Sequence, residues 1–273
     1  MDTVIRIGVL TPHGVPGPEV EFAAMAPGRL TVRVVRITST TDAGGSGGPV
    51  SPADLATLAT APSLDRAAGH LLTDPVEVIG YASTTSAYAV GFDGEMAMVL
   101  RLSRLTGRPV AATCASAVHA LRVLQVERVA LVGAPWFAPG LNELGAAYFA
   151  GQGFGVVSSV SAGLPQEPRA VEPAAVCEWV SRHVADAAQA VFIGGNGFRA
   201  SGAIEALEKA IGRPCSPQIR SCFGSSSHKQ MTRSRSTATV SCLHTKPEQG
   251  TSLPVTPCCR RAGGPASRGD KRR

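Results

Sequence analysis

The stretch AVFIGGNGFRASGAIEALEKAI at residues 190–211 contains the local pattern that decides the fold. Four apolar residues lead into a glycine-rich turn, and apolar residues then recur at helical spacing. Continuous apolar strands that alternate with helices are typical of parallel sheets covered by helices on both faces. Ligands of such sheets bind beyond the carboxyl ends of the strands, so we look for chemistry at the strand ends.

The same alternation runs through the first 214 residues. Strands are predicted at 5–10, 30–37, 76–81, 109–114, 128–132, 155–160 and 190–193, and helices at 51–70, 94–106, 115–124, 140–152, 172–187 and 201–211. The pattern restarts after residue 114, which predicts an α/β protein with two similar lobes, 1–114 and 115–214.

Composition excludes several classes of protein. No uninterrupted apolar run approaches the ~20 residues of a membrane span. The N-terminus lacks a basic segment followed by a long apolar region, so we expect a cytoplasmic protein. Residues 215–273 carry 11 of the 26 Lys and Arg residues but only 2 of the 20 Asp and Glu residues, so the net charge of +6 comes from this tail. No nucleic-acid-binding signature accompanies the tail. It lacks hydrophobic periodicity, and we expect it to be disordered.

Three predicted strand ends carry informative loops: TPHGVPGPE at 11–19, YASTTS at 81–86 and GGNGFR at 194–199. The first is also typical of a Pro/Gly turn. Hydroxyls and amides of the second can hold a carboxylate, although Ser and Thr are equally favoured as helix N-caps. Glycines in the third let an anion approach backbone amides. The third loop is neither a Walker loop nor a dinucleotide fingerprint.

Together these blocks resemble the maleate cis-trans isomerase and arylmalonate decarboxylase family of the aspartate/glutamate racemase superfamily. The resemblance covers roughly residues 3–214 and rests on IGVLTP at 7–12, YASTTS at 81–86, GLNELGAAYFAGQGFGV at 140–156, and the stretches 108–136 and 191–214. It implies two pseudosymmetric lobes with a small carboxylate between them, and neither cofactor nor metal. It also implies that Thr84 and Thr85 hold a carboxylate and that Pro12 lies near the substrate.

This sequence departs from the family at the residues that carry its chemistry. The resemblance implies a cysteine at one or both of two matching strand ends, and these positions fall on Ser83 and Gly195. A thiol of lowered pKa can attack as a nucleophile or donate a proton near neutral pH. A serine without a nearby base does neither well, and glycine cannot. A family tyrosine falls on Trp136, which offers only an N–H donor.

His13 is the titratable residue that the sequence offers instead, because an imidazole transfers protons near neutral pH. The alternative is a solvated loop histidine. Cys114 ends a predicted strand, and we expect it to be a small buried thiol. We therefore assign the candidate catalytic roles to Ser83 and His13.

The glycine-rich turn supplies the candidate contacts of the second lobe. Backbone amides of Gly195 and Gly197 are expected to hold an anion. Asn196 either donates its side-chain amide to a ligand or adopts a left-handed turn. Arg199 either pairs with a substrate carboxylate or serves a capping or surface role.

Residues 215–224, CSPQIRSCFG, indicate a shifted reading frame. A set of codons for them reads VLSPNQVLLW when one G is placed in front, which is the continuation that the resemblance leads one to expect. Residues 234–244, SRSTATVSCLH, give the family-like VEINGYGLLFT after the same shift. We predict a one-base deletion near the codon for Pro214, either in the gene itself or from sequencing. The alternative is a natural basic tail.

The sequence therefore predicts a cofactor-independent isomerase or decarboxylase that acts on a small carboxylate such as maleate or an arylmalonate. A non-catalytic carboxylate-binding protein, or an inactive family member, is the alternative. We expect no nucleic-acid or membrane partner and leave a homo-oligomer open.

Overall fold

Two parallel sheets with the same strand order form the framework of the computed structural model, which describes residues 4–26, 28–38 and 51–217. The first sheet has the order β2-β1-β3-β4, and the second has the order β6-β5-β7-β8. The strands are β1 (Ile5–Thr11), β2 (Leu30–Arg36), β3 (Val78–Tyr81), β4 (Val110–Ala112), β5 (Arg128–Gly133), β6 (Gly155–Ser161), β7 (Ala190–Ile193) and β8 (Cys215–Pro217). Adjacent strands pair in parallel throughout, which confirms the predicted α/β fold.

Helices connect successive strands and cover the sheets. They are α1 (Pro18–Met25), α2 (Pro52–Thr57), α3 (Ser63–Leu71), α4 (Thr84–Thr106), α5 (Thr113–Val123), α6 (Pro139–Ala150), α7 (Pro173–His183) and α8 (Ile204–Ile211). Every residue of β3 and β7 is buried, as expected for strands with helices on both faces. Among the residues described, no helix combines the length and apolar character needed to cross a membrane.

The two sheets share part of one hydrophobic core. Tyr88 of α4 and Val118 of α5 belong to the same buried cluster as Phe149 of α6 and Phe192 of β7. A Cβ at Gly145 would lie 2.7 Å from the Tyr88 ring, so glycine permits this approach of α4 and α6. The predicted boundary between residues 114 and 115 falls in the first turn of α5, and the division into lobes 1–114 and 115–214 stays a prediction.

Several predicted helix bounds are wrong. The predicted helix 51–70 is two helices, α2 and α3, because Pro62 lacks an N–H and cannot continue a helix. The predicted helix 94–106 begins ten residues earlier, at Thr84, and its backbone leaves helical geometry at Gly91. Helix α1 is absent from the prediction, since it spans only eight residues and follows a Pro/Gly-rich loop.

The predicted tail does not begin at residue 215. Residues Cys215–Pro217 form β8, which pairs with β7, and the buried Cys215 donates its amide to Glu208 Oε1 at 3.0 Å. The second sheet thereby gains a fourth strand. The remainder of the predicted disordered tail, 218–273, lies outside the described residues.

Candidate functional site

Three strand-end loops meet at one buried carbonyl oxygen. Thr11 Oγ1, at the end of β1, donates to the Ala82 carbonyl at 2.8 Å. Asn196 Nδ2, beyond β7 in the other sheet, donates to the same oxygen at 2.6 Å. The loops after β1, β3 and β7 are therefore brought together, although residues 82 and 196 are 114 positions apart.

The hydroxyl loop, residues 83–86, forms the start of α4. Ser83 Oγ accepts a hydrogen bond from the Ser86 amide at 3.3 Å and donates to Ser86 Oγ at 2.9 Å. Ser83 is thus the N-cap of α4, the alternative that the sequence left open. Among the described residues, neither of these partners is a base, so nothing in this geometry activates the Ser83 hydroxyl for nucleophilic attack.

Thr84 and Thr85 occupy the first turn of α4 and are buried. Thr84 Cγ2 lies 3.0 Å from the position that a Cβ on Gly194 would take. The hydroxyl loop of one sheet and the glycine loop, residues 194–199, of the other are therefore in direct contact. Because α4 presents its N-terminal amides here, the local field favours an anion.

The glycine loop is held so closely that a side chain at two of its glycines would be strained and crowded. Gly195 has φ +120°, and a Cβ there would lie 2.4 Å from the Ala134 methyl. Gly197 has φ +77°, and its Cβ would lie 2.5 Å from the Pro16 carbonyl oxygen. Ala134 thus already fills the space that a side chain at residue 195 would need.

Two polar residues of the glycine loop make protein contacts. Asn196 ties the loop to Ala82, a role that neither sequence alternative described. Arg199 has φ +56°, and its guanidinium contacts Glu172 Oε1 at 2.9 Å and the Val171 carbonyl at 3.3 Å. The structure favours the capping or surface alternative for Arg199.

His13 lies beside this meeting point. Its amide donates to Thr11 Oγ1 at 3.2 Å, and its carbonyl accepts from Arg36 Nε at 2.7 Å. Its Nε2 is buried and has no hydrogen-bond partner among the residues that the structure describes. Burial, and secondarily the Arg36 guanidinium, lower the pKa of His13 to about 4. The imidazole is therefore neutral at neutral pH.

Trp136 and Pro12 lie on two different loops of the site and are both half-buried. The Trp136 ring packs edge-on against Phe198, with ring centroids 6.1 Å apart, so it flanks the glycine loop. Cys114 is fully buried, as predicted, with Sγ 3.9 Å from the Thr84 carbonyl oxygen.

Sequence reasoning missed two buried carboxylates near the loops, Glu21 and Glu95. Glu95 accepts hydrogen bonds from the amides of Cys114 at 3.1 Å and Ala115 at 2.9 Å, and from the Tyr148 hydroxyl. Burial raises the pKa of Glu95 to about 7. A hydrogen bond between a glutamate and the first amides of a distant helix leaves no signal in the sequence. Among the described residues, no group of three or more His, Cys, Asp or Glu side chains could hold a metal ion.

Two parallel sheets of the same strand order, with their hydroxyl and glycine loops in contact, define an α/β protein of the kind that binds a ligand at its strand ends. A sequence model of arylmalonate decarboxylase matches residues 60–225, more than half of the chain. The chain therefore belongs to the arylmalonate decarboxylase family. No curated protein matches it in sequence.

Solved structures share this fold. A maleate isomerase from Pseudomonas putida superposes with a TM-score of 0.68 at 20% identity, covering 81% of this chain and 90% of the isomerase. A Nocardia farcinica maleate cis-trans isomerase with a covalently bound succinylcysteine intermediate gives 0.66 at 22% identity, covering 80% and 89%. An arylmalonate decarboxylase gives 0.63 at 19% identity, covering 80% and 89%.

Proposed function

We propose that the chain is a cofactor-independent enzyme of the isomerase or decarboxylase type, acting on a small mono- or dicarboxylate such as maleate or an arylmalonate. The observation that carries this proposal is the contact between the hydroxyl loop and the glycine loop, at Thr84 and Gly194. Family membership and the fold shared with these enzymes support the same reaction class.

Neutral donors would hold the substrate. Thr84 and Thr85 supply hydroxyls at the N-terminus of α4, and the backbone of Gly195–Gly197 supplies amides from the other side. Arg199 is engaged by Glu172, so a carboxylate here relies on dipoles rather than on that guanidinium. Fixed dipoles directed at a developing oxyanion stabilise a transition state without reorganisation.

The proton must come from a group other than a thiol at residues 83 and 195. In a decarboxylation, the electron pair of the broken C–C bond stays with the α-carbon as an enediolate while CO₂ leaves. We assign the proton that then reaches this carbon to the neutral imidazole of His13, which is reprotonated from water. A pKa of about 4 makes His13 a donor through its N–H rather than as an imidazolium.

A non-catalytic carboxylate-binding protein is the second candidate, and the geometry of the two family cysteine positions favours it. The Ser83 hydroxyl is occupied in capping α4, and the space beside Gly195 is filled by Ala134. The two loops are in contact at Thr84 and Gly194, so binding can persist where thiol chemistry is lost.

A substrate panel separates the two candidates. The full chain is incubated with maleate, arylmalonates and amino dicarboxylates, and product formation and thermal stabilisation are measured in parallel. Turnover that His13→Ala abolishes and Cys114→Ala retains supports the enzyme. Stabilisation without turnover supports the binding protein, since a ligand at 100 times its Kd adds about 2.7 kcal/mol. A chain that responds to none of these compounds contradicts both.

A further inference from the structure

Glu21 reaches from one sheet's helices to the other sheet's candidate loop. It lies in α1, is 3% exposed, and accepts hydrogen bonds from the amides of Ala200 at 3.2 Å and Ser201 at 2.9 Å. The Ser201 hydroxyl also donates to it. These donors open the 3₁₀ helix Ala200–Ala203, which directly follows the glycine loop. We infer that Glu21 is a positioning residue that fixes the glycine loop in its ligand-binding conformation.

The chemistry of the contact explains why a carboxylate stands there. The first amides of a helix have no partner within it, and they carry the positive end of its dipole. Arg199, immediately before these amides, has φ +56°, which turns successive N–H groups toward one acceptor. Burial raises the pKa of Glu21, and the hydrogen bonds from Ser201 and Ala200 oppose that rise.

The glycine loop is consequently restrained at two points by residues of the other sheet's loops and helices. Asn196, in the middle of the loop, is bound to the Ala82 carbonyl, and Glu21 binds the two amides that directly follow the loop. Gly197 lies between them, against Pro16 of the loop that leads into α1. Glycine has unusually large backbone freedom, so a loop with glycines at 194, 195 and 197 needs such restraints to keep one conformation.

The equivalent contact elsewhere in the molecule also contains a buried carboxylate. By strand order, α1 after β1 corresponds to α6 after β5, and α4 after β3 corresponds to the segment after β7. Where α4 meets α6, Glu95 accepts the Tyr148 hydroxyl and two amides at the start of α5. Only the Glu21 contact adjoins the glycine loop, which is why we assign the positioning role to Glu21.

Hydrogen exchange of the full-length protein tests this inference independently of any substrate. In Glu21→Gln, amides of residues 194–203 are expected to exchange about tenfold faster, because the amides of Ala200 and Ser201 share one acceptor oxygen fewer. Ser201→Ala removes one donor to Glu21 and should give a smaller rise in exchange rate, confined to the same residues. If Glu21→Gln does not fold, this variant tests the positioning role instead. Glu205→Gln is the matched control, because Glu205 is an exposed carboxylate in the first turn of α8. Unchanged exchange, or a uniform rise across both sheets, overturns the inference.

The ligand measurement rests on the proposed function. With a carboxylate that the wild-type protein turns over, Glu21→Gln should raise KM about tenfold with a smaller change in kcat, and Glu205→Gln should change neither. An unchanged KM contradicts the positioning role. If the wild-type protein neither binds nor turns over any of the carboxylates, the proposed function fails. The hydrogen-exchange measurement still tests the role of Glu21.

Discussion

Gly195→Cys, which introduces the thiol expected from the family, is predicted to destabilise the protein. The added Cβ would lie 2.4 Å from the Ala134 methyl, well inside van der Waals contact, and φ is +120°. A side chain in such a conformation costs about 1–3 kcal/mol. Overfilling a packed site costs about 1–3 kcal/mol more. The sum is about 2–6 kcal/mol, which lowers Tm by roughly 5–20 °C for a chain of this size.

Thermal unfolding followed by circular dichroism measures this cost. Ser83→Cys is the matched control, since residue 83 already carries a Cβ, and it should lose only about 1–2 kcal/mol through the weaker N-cap. Combining Gly195→Cys with Ala134→Gly removes the opposing methyl and should recover part of the loss, leaving the backbone strain. The reasoning is refuted if Gly195→Cys unfolds at the wild-type temperature, or if the double variant is no more stable than the single one.

Three further predictions concern pH and the gene. Burial raises the pKa of Glu95 from 4.5 to about 7, so its favourable contribution is complete below pH 4.5 and is lost as pH rises through 7. Glu95→Gln should flatten this decline in urea titrations across that range, and an unaltered slope contradicts the assignment. Folding lowers the pKa of His13 from 6.5 to about 4. The contribution of neutral His13 to stability is therefore complete above pH 6.5 and is lost as pH falls toward 4. His13→Gln should remove that acid-side loss, whereas a loss identical to wild type argues against a buried imidazole. Resequencing the gene around codons 214–215 tests the predicted deletion: an additional base there identifies a sequencing error, a family-like frame that lacks one base identifies a deletion in the gene, and a confirmed, undeleted reading frame contradicts the prediction.

The strands were predictable because burial on both faces requires continuous apolar residues, and such runs are visible in the sequence. Residues of β3 and β7 face helices on both sides, so every position is apolar or small. Helix starts were harder. Thr84, Thr85 and Ser86 combine hydroxyls that suit a loop with the positions of a helix first turn, and only the N-cap bond of Ser83 distinguishes the two.

The candidate site was predictable only in part, because its loops are recognisable locally and its restraints are not. The hydroxyl and glycine loops follow strands, and the fold places strand ends together. Glu21 and Ala200 are 179 positions apart, so their hydrogen bond arises from the approach of two elements that the sequence does not relate. The obstruction of Gly195 by Ala134 likewise depends on the exact distance between two backbone segments, which the sequence does not reveal.

The shared acceptor at Ala82 makes two distant positions mutually dependent. Thr11 and Asn196 direct their donors to a single oxygen, so replacing either alters the geometry open to the other. Neighbouring substitutions of this kind have non-additive effects. Such epistasis would lead the two residues to covary across homologues. A substitution at position 11 would then limit which side chains are tolerated at position 196.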